Sequence, residues 1–182
     1  PVSHLLAAAK ACDEIMAVRI PDVAVKLRRI LNFAQIIQSH ALSFFHLSSP
    51  DLVLGFDAPP AQRNILSLAQ SHPAMAKDGI ALRKFGQQII EWMGGDRVHP
   101  HAIVPGGVNR PLEAATRERI LAQIPQAYEI IERTLSWYKG AYAQYADEIA
   151  HFANFPTLFM GLVSADATLE HYDGTLRVVD SR

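Results

Sequence analysis

The chain has 182 residues, 49% of them hydrophobic, with 17 Lys/Arg against 18 Asp/Glu and a formal charge of -1. A chain of this size and apolar content can bury about 70% of its unfolded surface, which excludes a disordered segment. The balanced charge carries no basic cluster for nucleic acid, no apolar run is long enough to cross a bilayer, and one cysteine, Cys12, excludes an internal disulfide framework or a thiolate-rich metal cage made by this chain alone.

The predicted elements are mostly helical. A first helix runs from about Ser3 to Met16, with Ser3 as its N-cap and small residues (Ala7, Ala8, Ala9, Ala11) that admit a close neighbour. A long helix follows from Asp22 to about Leu47, because Val23, Leu27, Ile30, Ala34, Ile37, Ala41 and Phe44 recur at spacings of three and four. At that length it would span roughly 39 Å and serve as the central strut of a helical bundle. Pro59 and Pro60 precede a short helix over AQRNILSLAQ. Pro73 opens another, with Leu82, Phe85, Ile89 and Trp92 on one stripe and Gly94-Gly95 as its stop.

The stretch DRVHPHAIVPGGVNRP, Asp96 to Pro111, has no helical period and predicts turns with short extended pieces. Helices resume near Leu112 and continue after Pro125 to about Phe152, with Ile131, Leu135, Tyr138, Tyr142, Tyr145 and Ile149 as the buried face. In the tail, LEHYDGTLRVVD alternates around Asp173-Gly174, a two-residue hairpin signal that predicts strands near Leu169–Tyr172 and Thr175–Val179. The fold class is therefore mainly α: a helical core over about 3–153 and a small β-hairpin region over about 157–182, with further extended structure in the medial loop.

Candidate chemistry is sparse. His40 and His46 are six residues apart on one helix and point to different faces, so the i, i+4 metal pair is absent. His99 and His101 flank Pro100 and present two imidazoles without a neighbouring carboxylate or cysteine, which suits a hydrogen-bonded structural role better than a metal site. Pro105-Gly106-Gly107 is either a tight turn or a place where backbone N–H groups approach a ligand. His4 at a helix start reads as a capping or packing residue, and Cys12 as a small core residue. No complete catalytic set exists in the residues themselves.

The string PVSHLLAAAKACDEI…RIPD…LRRIL…QSHALSFFHLSSPD resembles the large subunit of nickel-iron hydrogenases. VHPHAIVPGGV, Val98 to Val108, is similar to that family's medial motif, and EHYDGTLRVVDS to the hairpin region of its cytoplasmic, cofactor-linked members. PVSH is similar to the part of the family's Cys-x-x-Cys-x-x-x-His motif that follows the second cysteine. The resemblance thus implies an internal fragment with His4 as the motif histidine. Ser39 stands where membrane-bound uptake members commonly carry an aspartate, and the QSHALSFFHL form points instead to soluble enzymes coupled to NAD(P) or a deazaflavin.

The resemblance implies reversible heterolytic cleavage of H2 at a Ni–Fe centre carrying CO and cyanide. Four cysteine thiolates outside this chain would hold the metals, and electrons would pass to a small iron–sulfur subunit and diaphorase-type subunits. The family's catalytic cysteine, glutamate and arginine also fall outside, so the chain alone is expected to hold no metal, to be inactive and to self-associate. His4 is expected to donate a hydrogen bond to a bridging thiolate, with Ser39, His40, His99, His101, Gly106 and Gly107 shaping the surroundings. A cytoplasmic location fits this reading and the lone cysteine. Two other readings stand beside it: a quinone-linked subunit of the complex I type from the same superfamily, and a helical scaffold or interaction module without chemistry.

Overall fold

A computed structural model describes residues 1–180. Their backbone divides into two compact units, 1–136 and 137–182, the second including the two terminal residues that are not described. In the first unit helix α1 covers Val2–Ile15 and buries Val2, Leu6, Ala9 and Asp13 on one face. It starts one residue earlier than predicted, and Ser3 does not cap it. Pro1 occupies the cap, and its carbonyl accepts the Leu5 N–H at 3.0 Å. Ala17 ends the helix in the left-handed conformation at φ 51, although it carries a Cβ.

The predicted strut is not one α-helix. Helix α2 covers Asp22–Ala41, a π-helical turn covers Leu42–Ser48, and helix α3 covers Ser49–Leu54. Pro50 explains the break, since it has no N–H to give to the ladder and crowds the carbonyl four residues earlier. The widened turn spreads the ladder ahead of it, buries Phe45, and lets the Ser49 hydroxyl donate to the Phe44 carbonyl at 2.8 Å. Helix α4 covers Ile65–Ser71, and the Asn64 side chain accepts from the N–H groups of Leu66 and Ser67.

Helix α5 covers Pro73–Gly94 and ends at Gly95, in the left-handed conformation as its sequence predicts. It packs along α2; Leu82, Phe85 and Ile89 of α5 are buried, and so are Leu31 and Ala34 of α2. The approach is close because Gly86 has no side chain: a Cβ there would sit 2.6 Å from the Ala34 carbonyl oxygen. Helix α6, Ala114–Ala141, runs through Pro125 without stopping. Arg119 lies over the Trp92 ring at 4.1 Å, and Arg133 donates from Nη2 to Asp78 Oδ1 at 3.0 Å and from Nε to Oδ2 at 3.3 Å, so α6 is tied to α5 by charged side chains. An apolar groove of about 540 Å³ opens between α2, α5 and α6, lined among others by Phe33, Ile37, Phe85 and Ile124.

The buried residues of α6 are Ile120, Ala127 and Ile130, not the predicted face. Leu135 is exposed within α6 itself, and Tyr142 and Ile149 are exposed where α6 gives way to a 3-10 turn at Tyr142–Tyr145 and a short helix α7 at Ala146–His151. A stripe extrapolated at one helical period does not survive that change of pitch. Medial strands β1, Ile103–Val104, and β2, Gly107–Val108, pair antiparallel.

The second unit carries a longer antiparallel hairpin, β3 over Leu158–Val163 and β4 over Thr175–Asp180, with Met160 opposite Val178. This corrects the predicted register. Thr175–Val179 is a strand, but its partner is Leu158–Val163, and Asp173-Gly174 is not a two-residue hairpin turn. Leu169 makes only an isolated bridge to Val163, and the intervening loop is closed by its own polar bonds, including Ser164 N–H to the Thr168 carbonyl at 3.0 Å. The sequence to Arg182 runs beyond the described residues. No helix among the described residues is long and apolar enough to cross a membrane.

Candidate functional site at the medial turn

The sequence-predicted residues are placed as follows. His4 is exposed on α1. At 100° per residue it lies half a turn round the helix from Asp13, so it faces away from the buried stripe. Ser39 and His40 are exposed in the last turn of α2, where His40 Nδ1–H donates to the Ile36 carbonyl at 2.9 Å and leaves Nε2 as the open nitrogen. His99 and His101 are exposed in the medial loop. Gly106 is half-buried and Gly107 buried. Cys12 is half-buried on α1 and unpaired with any other cysteine. Among the described residues no three His, Cys, Asp or Glu side chains gather to hold a metal.

The medial loop is held by backbone. The N–H groups of His101 and Ala102 donate to the Gly94 carbonyl at 3.0 and 3.2 Å, and Asn109 Nδ2 donates to the His101 carbonyl at 2.8 Å. At its start the Asp96 carboxylate accepts from the His99 and Val98 N–H groups, each at 2.7 Å, and these bonds hold its pKa below the ordinary value. His99 and His101 therefore sit on an ordered loop, and Pro100 between them is buried.

The medial turn is held by a construction that sequence reasoning missed. Val104 and Gly107 are register partners, so Pro105-Gly106 is a two-residue hairpin loop. Pro105 at the first central position and Gly106 at φ 88 at the second follow the type II pattern. That turn twists against the strands it joins, whereas favoured two-residue hairpins use the primed turns. With only two residues per strand, this hairpin needs support from outside.

Asp13 and Arg28 supply it. Arg28 is fully buried, and its Nη1 donates to Asp13 Oδ2 at 2.6 Å. Its Nε donates to the Gly107 carbonyl at 3.0 Å, and its Nη2 to the Val104 carbonyl at 2.7 Å. The Gly106 N–H donates to Asp13 Oδ1 at 2.6 Å. One fork-shaped cation and one carboxylate thus bind both ends of the turn and its centre, and join them to α1 and α2. The hydrogen bond from Arg28 is the largest cause of a lowered Asp13 pKa, with the Gly106 N–H and the charges of Arg28 and Lys10 adding to it against burial. Gly107 meanwhile packs close to Ala24, whose Cβ would lie 3.0 Å from a Cβ at that position.

A signal for the pair existed in the sequence. Asp13 continues the stripe Val2, Leu6, Ala9 at a spacing of four, and Arg28 falls between Leu27 and Leu31 on the apolar side of α2. Charges on apolar stripes call for partners.

Comparison with known proteins decides what the arrangement belongs to. Residues 1–79 match the family described as Nickel-dependent hydrogenase. The chain is 41% identical over 175 residues to an F420-non-reducing hydrogenase subunit of the vhu type from Methanocaldococcus jannaschii, covering 96% of this chain and 42% of that protein. It is 36% identical over 191 residues to the NAD-reducing hydrogenase HoxS subunit beta of Cupriavidus necator, covering 98% of this chain and 39% of that one. A crystal structure of NAD+-reducing [NiFe]-hydrogenase in the H2-reduced state superposes with a TM-score of 0.94 at 42% identity, over 99% of this chain and 40% of that one.

The chain belongs to the nickel-dependent hydrogenase family.

It spans about 40% of the length of the relatives it matches. The family match over 1–79 takes in α1, α2 and α3, hence His4, Asp13, Arg28, Ser39 and His40. The medial turn lies beyond it, within the stretch shared with the longer relatives.

Proposed function

We propose that this chain is part of the catalytic large subunit of a [NiFe] hydrogenase that cleaves H2 heterolytically. In this reading electrons pass through a small iron–sulfur subunit and diaphorase-type subunits to NAD(P) or a similar soluble acceptor, in the cytoplasm. The observation that carries it is the superposition, at 42% identity over 99% of the chain, on an NAD+-reducing [NiFe]-hydrogenase.

The Ni–Fe group tests this chain's donors unequally. Nickel and iron of this type want soft thiolates, and Cys12 is the chain's single cysteine. The ligand set is therefore proposed to lie in other parts of the whole protein, and no reaction step is assigned to residues of this chain. His4 does fit a supporting part: an exposed imidazole N–H at the start of α1 is a suitable donor to a thiolate, which lowers the charge on sulfur and tunes the metal. Ser39, His40, His99, His101, Gly106 and Gly107 are proposed to shape the surroundings without touching the reacting atoms. The 182 residues are taken as a single piece of the large-subunit domain, inactive when isolated. Its open apolar groove and exposed side chains favour self-association of the isolated chain.

The test uses the whole gene product. It should retain nickel and oxidise H2 with a dye or NAD(P) as acceptor. His4→Ala should lower activity or shift redox behaviour with nickel still bound. Absence of nickel from the whole protein contradicts the reading, as does stoichiometric nickel in the 182-residue chain. Wild-type kinetics and spectra for His4→Ala remove the role given to that residue.

A further inference from the structure

We propose that Asp13 and Arg28 act together as positioning residues for the hydrogen reaction, by fixing the rotation of α1 about its axis and so the direction in which His4 points. This rests on the hydrogenase reading above.

Helix α1 buries Val2, Leu6 and Ala9 on one face, and apolar burial of this kind is non-directional, so it specifies the helix's azimuth less sharply than hydrogen bonds do. Asp13 is the position on that face with directional bonds. It accepts from Arg28 at 2.6 Å and from Gly106 at 2.6 Å, through two different oxygens. Two bonds to one carboxylate, from two separate elements, define its plane and therefore the azimuth of the helix that bears it. Arg28 cannot drift, because its other nitrogens are fastened to Gly107 and Val104. His4 lies nine residues back, about 13.5 Å along the axis and half a turn round it. A helix is stiff over that length, so loosening Asp13 lets the helix turn and swings His4 through the same angle.

The fork of the guanidinium has no substitute among the other cations. Lysine keeps the charge of Arg28 but offers a point donor on a flexible stem, and cannot reach Asp13, Val104 and Gly107 at once. Asparagine keeps the shape of Asp13 but turns an N–H toward one of its two donors. Each conservative change should spare the apolar packing of α1 and spoil its orientation.

The experiment is infrared spectroscopy of the whole hydrogenase, reading the CO and cyanide stretching bands, in wild type, Arg28→Lys, Asp13→Asn, His4→Gln and the two double variants with His4→Gln. Nickel content and thermal unfolding serve as controls for assembly. The expected result is a shift of the bands in Arg28→Lys and Asp13→Asn that disappears when His4 is already replaced. Unshifted bands in a folded, nickel-loaded Arg28→Lys or Asp13→Asn protein overturn the proposal. So does a shift of equal size with and without His4, which would place the effect elsewhere. If one of the two single variants fails to assemble, the other gives the same reading. If wild type itself shows no such bands, the hydrogenase reading has failed, and the positioning role falls with it; that outcome is recognised from the wild type alone.

Discussion

Among the described residues two antiparallel hairpins are held in opposite ways. The medial one, β1–β2, has two residues per strand and a turn of unfavourable twist, yet Ile103 and Gly107 are buried and a fully buried arginine binds both ends of the loop. The terminal one, β3–β4, has six register pairs, but Leu158, Phe159, Met160, Leu176 and Val178 are all more than half exposed. The first is stabilised by what surrounds it, the second by its own ladder. Changes at a distance in sequence should therefore collapse the medial hairpin, while changes on the terminal hairpin itself should be absorbed.

The largest expected effect comes from Arg28→Met. It leaves the Asp13 charge buried without its partner and strips the Val104 and Gly107 carbonyls of their donors, which should cost roughly 3–5 kcal/mol of stability in urea unfolding. Next is Gly106→Ala. At φ 88 an L side chain is strained, and about 1–2 kcal/mol should be lost even though the space around that position is open.

Acid sharpens the comparison further. Asp13 has a folded pKa below its ordinary 3.8, so it binds protons less readily folded than unfolded. Its contribution is fully present above the unfolded value and is lost as pH falls through the folded one. Below about pH 4 the stability of the wild type should decline more steeply than that of Asp13→Asn, measured by unfolding in a pH series. The groups facing Asp13 in this balance are Arg28, the Gly106 N–H and Lys10. The smallest effect is expected on the terminal hairpin, where Val178→Ser should change stability by no more than about 0.5 kcal/mol.

Particular elements show why the sequence was legible in some places and not in others. The stop of α5 at Gly95 and its Leu82, Phe85, Ile89 stripe could be read because they are local: a glycine and a period. The medial segment could be read as turns for the same reason. Where α2 ends was not legible, since the π turn answers to Pro50 together with the burial of Phe45, and periodicity alone runs straight through both. The partner of Thr175–Val179 was missed because Asp-Gly is a strong local signal and the true pairing with Leu158–Val163 is set by the register of a longer ladder. The Asp13–Arg28 pair was missed for a deeper reason. Its meaning depends on a turn 76 residues or more from Arg28 along the chain. The hydrogenase resemblance, by contrast, was carried by several short strings in order, and the comparisons upheld it.

Hydrogen exchange at the Gly106 amide, in wild type and in Arg28→Lys, tests most directly whether the medial turn is held from outside. In wild type this amide should be strongly protected by the Asp13 carboxylate. In Arg28→Lys it should exchange about tenfold faster or more, while the amides of β4 keep their wild-type rates. A Gly106 amide that exchanges like an open loop in wild type, or that keeps its protection when Arg28 is replaced, would contradict the account.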